Sequence, residues 1–166
     1  MDFALSVKVK AKTDEWYTPR SSVEPIIPYA KGKVWCPFDT EESYYVKCLQ
    51  EHGIECEYTH INNGVDFFKY EPKEYDCIIS NPPYSKRNAV LDRLYELNKP
   101  FAILLNMNGI FDSKCRFELF KRGGVQLFIP NGRTNFFQAD GIQAHPSFQA
   151  IYVCRNLLPR DIVFAD

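Results

Sequence analysis

The chain has 166 residues and a mass of 19.3 kDa, which predicts one domain with a buried core. A formal net charge of −1 at pH 7 excludes a general electrostatic attraction to nucleic acid, so such a partner would need a local patch. Six cysteines form no C-x-x-C pair and accompany only three histidines, so no metal site is expected. No signal peptide or membrane-length apolar run is seen, which favours a cytoplasmic protein.

The first part of the chain alternates lysines with small apolar residues. This pattern covers residues 1–14 and is typical of an edge strand or a basic arm. A Trp-Tyr-Thr-Pro segment follows at 16–19, and either Ser21 or Ser22 is predicted to cap a short helix that ends at Tyr29.

The next segments alternate between strand and helix. Residues 33–36 predict the first strand, and the following loop at 37–39 contains no glycine, although nucleotide-binding α/β folds usually place a glycine-rich loop there. A helix is predicted at 43–52 and a second strand at 54–58. No carboxylate follows that strand to hold a ribose, so His60 is either a ligand or a plain loop residue.

The most informative part of the chain is an apolar run that ends in two prolines. Residues 77–79 are too few for a helix and predict a buried strand, which Pro82 and Pro83 end because proline donates no main-chain hydrogen bond. Ligands of open α/β sheets bind at such strand ends. Acceptors there, the Asn81 side-chain oxygen and the Pro82 carbonyl, suit a poorly nucleophilic exocyclic amine. Tyr84 offers a face for a planar base, although a Pro-Pro turn capped by asparagine is the structural alternative.

Strands and helices continue to alternate after this loop. Helices are predicted at 89–97 and 113–120, and strands at 101–105, 125–129 and 150–154. The last two strands are joined by a long connection. We therefore expect an α/β three-layer sandwich whose sheet is mostly parallel, with an antiparallel terminal strand.

The tetrapeptide Asn-Pro-Pro-Tyr at 81–84, after an apolar strand, resembles the catalytic motif of S-adenosylmethionine-dependent amino-methyltransferases. It is most similar to that of the small, phage-type adenine-N6 DNA enzymes. Further similar segments follow in matching order over roughly residues 15–155, including the G-R-x-x-F segment at 132–136. The resemblance implies the class I methyltransferase (Rossmann-like) fold and S-adenosylmethionine as cofactor. It also implies one such domain over 1–166, with no separate target-recognition domain.

The resemblance also implies roles for individual residues. The catalytic residues would be Asn81, Pro82, Pro83 and Tyr84. The cofactor ligands would be Trp16, Thr18, Pro19, Cys36, Pro37, Phe38, Asp39, His60, Asp66, Phe67 and Asn81. The substrate contacts would be Ser85, Lys86, Arg87, Arg133 and Phe136. Cys36 stands where the family has an acid, so Asp39 would replace that acid.

The expected function is N6 methylation of adenine in DNA. No segment is long enough for a recognition domain. A homodimer or a partner subunit would therefore supply target recognition. Otherwise the enzyme has low specificity, or it prefers single strands or RNA. Two alternatives stay open. One is methylation of another amine or amide, such as an RNA base or a protein glutamine. The other is a catalytically silent cofactor or nucleic-acid binding module, which the glycine-free loop favours.

Overall fold

The computed structural model describes residues 16–138, 140–144 and 146–166, so the predicted arm at 1–14 lies outside the described residues. Within them, seven strands form one sheet in the order β2-β1-β3-β4-β6-β5-β7. The strands are β1 (Val34–Cys36), β2 (Cys56–Tyr58), β3 (Cys77–Ser80), β4 (Phe101–Asn106), β5 (Gln126–Ile129), β6 (Ala150–Arg155) and β7 (Ile162–Phe164). The helices are α1 (Arg20–Val23), α2 (Tyr44–Glu51), α3 (Arg87–Leu97) and α4 (Lys114–Gly123).

The sheet is mostly parallel, as predicted. Strands β2, β1, β3 and β4 are parallel neighbours, whereas β6 runs antiparallel to both β4 and β5. The prediction that β6 is the last strand is wrong, because β7 follows it and pairs in parallel with β5. The carboxyl ends of β1, β2, β3 and β4 meet at one edge of the sheet, which is where such folds bind ligands.

Alternate residues of the central strands face two different helical layers. Cys77 and Ile79 pack in one core cluster with residues of α1 and α2, and Ile78 packs in the other with residues of α3 and α4. Both clusters contain fully buried side chains from the helices, and each buried Leu or Ile contributes roughly 1.5–3 kcal/mol. The predicted three-layer sandwich is confirmed.

The helix predicted to end at Tyr29 is shorter than expected. Helix α1 ends at Val23, and a 3-10 helix continues over Glu24–Tyr29. Pro25 and Pro28 explain this change, since a proline cannot donate the i→i−4 hydrogen bond of an α-helix. Neither predicted serine is the cap, because the N-cap position is Pro19.

Two sequence expectations concern features outside the sheet. All six cysteines are free thiols, and Cys36, Cys77 and Cys154 are buried as predicted. Asp66 and Phe67, which the resemblance assigns to the cofactor, lie in the connection between β2 and β3. In the part of the chain that the structure describes, no helix combines the length and apolar character needed to cross a membrane.

Candidate active site

A cleft of about 680 Å³ opens where the parallel strands end. This volume lies within the range of small-molecule and cofactor sites. Its walls come from the loops after β1, β2 and β3, from the segment before α1, and from the long connection between β5 and β6. The cleft brings together the predicted residues Trp16, Thr18, Pro37, Phe38, Asp39, His60, Asp66, Phe67, Asn81, Pro82, Pro83, Tyr84, Ser85, Lys86 and Phe136.

Four predicted site residues do not line the cleft. Cys36 is fully buried in the core, and burial raises the pKa of its thiol well above the ordinary value. Pro19 occupies the N-cap position of α1. Arg87 begins α3 and donates to the Asn108 carbonyl at 3.2 Å, and Arg133 is an exposed residue of the connection between β5 and β6. The structure therefore places these four side chains outside the cavity that gathers the others.

The Asn81 amide lies directly after the buried strand β3. Its Nδ2 atom donates a hydrogen bond to Thr18 Oγ1 at 3.0 Å. Its Oδ1 atom is buried and has no hydrogen-bond partner among the described residues. A buried acceptor without a partner costs about 1–3 kcal/mol, so a donor that reached this oxygen would be stabilised by it.

Tyr84 begins a 3-10 helix over Tyr84–Lys86 and provides an aromatic wall of the cleft. Its ring makes edge-on contacts with Phe136 at 6.2 Å and with Phe148 at 6.1 Å between centroids. The Tyr84 hydroxyl is buried without a partner in the described chain, and burial raises the pKa of this phenol above its ordinary value. It therefore stays neutral and keeps a proton to donate.

Asp39 supplies a buried carboxylate to the lining of the cleft. It is 5 % exposed, and Ser80 Oγ donates to its Oδ2 atom at 2.6 Å. Burial raises the pKa of Asp39 to about 6, although hydrogen bonds from Ser80 and Ser43 oppose the rise. No salt bridge of the described residues involves this carboxylate. A cationic ligand group would therefore be stabilised beside it.

The part of the cleft after β2 is aromatic. Phe67 is 3 % exposed and packs against Trp35 at 5.5 Å and Phe38 at 5.0 Å between ring centroids, so little of its face is open. Phe38 and Phe68 are only half-buried and present more ring surface. Asp66 Oδ1 accepts a hydrogen bond from the Phe68 main chain at 2.9 Å. Phe68, which sequence reasoning did not select, is thus a better stacking surface than Phe67.

His60 has a local structural role in addition to lining the cleft. Its Nδ1 atom accepts a hydrogen bond from the Asn62 main chain at 3.0 Å and caps the short 3-10 helix Ile61–Asn63. Sequence reasoning also missed Tyr17, Thr40, Ser43, Tyr44, Tyr45, Ile61, Val65, Phe68, Ala144, Pro146 and Phe148. Some of these, such as Tyr17, Thr40 and Phe68, adjoin predicted site residues in the sequence. Others, such as Pro146 and Phe148, lie in the connection before β6 and reach the cleft through tertiary contacts.

No protein-family model matches this chain, and no curated protein matches it. Among solved structures it is similar to the methyltransferase subunit of a type I restriction-modification system from Streptococcus thermophilus, with a TM-score of 0.53 and 14% identity over 90% of this chain and 47% of that one. It is also similar to the 23S rRNA methyltransferase ErmE, with a TM-score of 0.53 and 12% identity over 85% of this chain and 69% of that one.

The present chain spans about half the length of the modification subunit. At such low identity these likenesses show the fold alone. The fold is the class I, Rossmann-like methyltransferase fold.

Proposed function

We propose that this protein is an S-adenosylmethionine-dependent methyltransferase that modifies the exocyclic N6 amine of adenine in DNA. The observation that carries the proposal is the buried, unpartnered Oδ1 atom of Asn81 at the ligand-binding edge of the sheet. An amide oxygen held without a partner fits a substrate that brings its own N–H donor.

The volume of the cleft and its charged and aromatic lining support S-adenosylmethionine as the ligand. Asp39 is a buried carboxylate without a cationic partner in the described chain, which suits the cofactor's positive charge. The half-buried rings of Phe38 and Phe68, together with Asp66, suit the adenosine end. When bound, the cofactor supplies an electrophilic methyl group.

The residues after β3 would act on the target amine. Its lone pair is delocalised into the ring, so it is a weak nucleophile. The Asn81 Oδ1 atom and the Pro82 carbonyl would accept its two hydrogens and so stabilise charge that develops only in the transition state. Removing one preorganised polar group of this kind typically lowers kcat by roughly 10²–10³-fold.

The aromatic wall would hold the base. Tyr84, Phe136 and Phe148 form a set of edge-on contacts beside Asn81, and stacking of one base on an aromatic side chain contributes about 1–3 kcal/mol. A base within a duplex cannot reach this cleft unless it is flipped out of the stack.

DNA is the proposed polymer, and a second copy of the chain or a partner subunit is proposed to supply target recognition. The similar restriction-modification protein is itself named as a subunit, which agrees with this proposal. Because ErmE is named as a 23S rRNA methyltransferase, RNA belongs in any test of the substrate.

The test is transfer of a labelled methyl group from S-adenosylmethionine to single- and double-stranded DNA, RNA and a glutamine-containing peptide. We expect label in DNA, recovered as N6-methyladenine after digestion, and a loss of at least about 100-fold in Asn81→Ala. Label confined to RNA or peptide would refute the substrate. A protein that binds no S-adenosylmethionine at millimolar concentration, with or without nucleic acid, would refute the function and favour the silent binding module.

A further inference from the structure

The edge strand β7 leaves bulky apolar side chains exposed. It is the last strand in the order of the sheet, and among the described residues it pairs with β5 alone. Ile162 is 50 % exposed and Phe164 is 70 % exposed, the highest fraction among the large hydrophobic side chains of the described residues. The other edge strand, β2, carries the charged Glu57 at its centre, which is a usual protection of a sheet edge. Strand β7 lacks that protection, so this edge is suited to pair with a further strand.

The main chain of β7 offers the hydrogen bonds that such pairing needs. The β5 main chain donates to the Asp161 carbonyl at 2.7 Å and accepts from the Ala165 N–H at 2.9 Å. The odd-numbered residues of this segment therefore direct their main-chain polar groups towards β5. Because successive residues of a strand alternate in direction, the N–H and C=O groups of Ile162 and Phe164 point away from β5. No strand of the described chain lies on that side to bind them.

The side chains of β7 alternate between the two faces of the sheet. Val163 is buried in the core cluster that contains residues of α1 and α2. Ile162 and Phe164 lie on the opposite face, where their register neighbours on β5, Leu127 and Ile129, are only partly buried. We call these four residues of the opposite face (Leu127, Ile129, Ile162 and Phe164) the β7 patch. The helices of that face cover the patch incompletely.

The two ends of β7 carry opposite charges. Arg160 precedes the strand and Asp166 follows it, and both side chains are exposed. Neither makes a salt bridge within the part of the chain that the structure describes. If two copies of this segment pair in antiparallel fashion about Val163, Ile162 of one copy lies opposite Phe164 of the other, and Arg160 lies opposite Asp166. The twofold symmetry repeats each contact, which gives a central apolar group with an ion pair at either end.

Only one register of this kind satisfies both the apolar and the charged residues. The outward-facing main-chain groups belong to even-numbered residues, so an even-numbered residue must lie opposite another. Moving the pairing by one step in one direction places Arg160 opposite Phe164. Moving it by one step in the other direction places Asp166 opposite Ile162. Both shifts set a charge against an apolar side chain and separate the opposite charges.

We propose that β7 is a self-association site, at which a second copy of this chain pairs in antiparallel fashion about Val163, continues the sheet and covers the β7 patch. The twofold axis is normal to the sheet, so the two clefts lie at opposite edges of the joined sheet. The second copy therefore adds no residue to the first cleft, and of the two sources of target recognition proposed above this leaves the partner subunit. Since no residue of the β7 patch lines the cleft, the self-association does not rest on the proposed function.

The mass of the particle in solution gives the direct test. The interface is small, so we expect a reversible dimer with a Kd on the order of 10 µM. In sedimentation velocity of the whole chain from about 1 to about 200 µM, the average mass should rise from 19.3 kDa towards twice that value. A monomer at every concentration would overturn the proposal and leave this edge to a different partner or to residues 1–14 of the same chain.

Charge reversal tests the register. Arg160→Asp sets two carboxylates against each other at both ends of the interface, and Asp166→Arg sets two cations against each other. Each variant should raise the Kd of the dimer at least about fivefold, whereas the double variant should restore a Kd within about threefold of the wild type. An unchanged Kd in the single variants, or no recovery in the double variant, would overturn this register.

Phe164→Lys tests the apolar centre of the interface. Phe164 is largely exposed, so the variant should fold as the wild type does, with an unchanged circular dichroism spectrum. We expect it to raise the Kd at least about tenfold. The matched control is Ile142→Lys, because Ile142 is 58 % exposed but lies in the connection between β5 and β6, where its carbonyl accepts from the Gln138 main chain. The control should keep the Kd of the wild type. Wild-type association of Phe164→Lys, or equal loss in both lysine variants, would overturn the proposal.

Discussion

The carboxylate of Asp39 should make the stability of the protein, and its affinity for the proposed cofactor, depend on pH between about 4 and 6. Its pKa is about 6 in the folded chain, against an ordinary value of 3.8, because the group is buried. Between about pH 4 and pH 6, Asp39 is therefore largely protonated in the folded protein but ionised in the unfolded chain. The contribution of Asp39 to the free energy of unfolding should therefore fall by about 3 kcal/mol as the pH rises through this window and then level off.

Asp39→Asn keeps the shape of the side chain but removes its titration. We expect this variant to lack the fall in stability between pH 4 and pH 6, as measured by urea unfolding followed by tryptophan fluorescence. The control is Asp92→Asn, since Asp92 is exposed on α3 and its loss should leave the wild-type slope unchanged. Equal slopes in the wild type and Asp39→Asn would refute the assignment of this titration to Asp39.

Binding of S-adenosylmethionine should show the opposite dependence on pH. A cationic ligand group favours the ionised carboxylate, so affinity should rise through pH 6 and fall up to tenfold for each pH unit below it. In calorimetric titrations the wild type should bind about tenfold more weakly at pH 5 than at pH 7, whereas Asp39→Asn should bind weakly at both. Equal affinity of the two proteins at both pH values would show that Asp39 does not contact the cofactor's positive charge.

Three further predictions concern the wall of the cleft, its supporting loop and the thiols. Tyr84→Phe keeps the stacking face, whereas Tyr84→Ala loses about 1–3 kcal/mol of stacking. The KM for nucleic acid should therefore rise less in Tyr84→Phe than in Tyr84→Ala. Comparable KM values in the two variants would contradict a stacking role. Arg116 is 5 % exposed and donates to the Ile110 carbonyl at 3.0 Å and to the Gly109 carbonyl at 2.6 Å. Arg116→Ala should therefore reduce the free energy of unfolding by about 2–4 kcal/mol in urea titrations. A loss below about 0.5 kcal/mol would show that Arg116 does not hold this loop in place. Cys115 is the most exposed cysteine of the described residues. One thiol should therefore react rapidly with a disulfide reagent under native conditions, and this rapid reaction should be lost in Cys115→Ser.

The part of the site that could be predicted from sequence is the part with local causes. An apolar run followed by Pro82 and Pro83 predicts a buried strand and the loop that ends it, because proline acts on its own backbone. Strand β7, by contrast, has three residues and depends on pairing with β5 at the edge of the sheet. So short a strand has no hydrophobic pattern from which the sequence alone could predict it.

Most of the cleft depends on contacts between distant parts of the chain. Thr18 and Asn81 are 63 positions apart, and Tyr45 and Tyr152 are 107 apart. No local spacing signals pairs of this kind. Cys36 is a different case. Its alignment with the family implied a cofactor ligand, whereas the alternation of β1 turns its side chain into the core.

The glycine-free loop after β1 need not be a defect. Within 37–43 no residue has a positive φ, so its conformation does not require glycine. Instead, Asp39 joins three strand ends: its main chain donates to the Thr59 carbonyl at 3.0 Å, and its carboxylate accepts from Ser80 at 2.6 Å.

Restoring a glycine at this point should therefore weaken the site. Asp39→Gly would leave the buried Ser80 hydroxyl without its acceptor and remove the charge that suits the cofactor, so we expect lower stability and weaker binding of S-adenosylmethionine than in Asp39→Asn. Both are measured by the same unfolding and titration experiments. If Asp39→Gly bound the cofactor more tightly than the wild type, close approach to the backbone would be the missing feature, and Asp39 would not be its substitute.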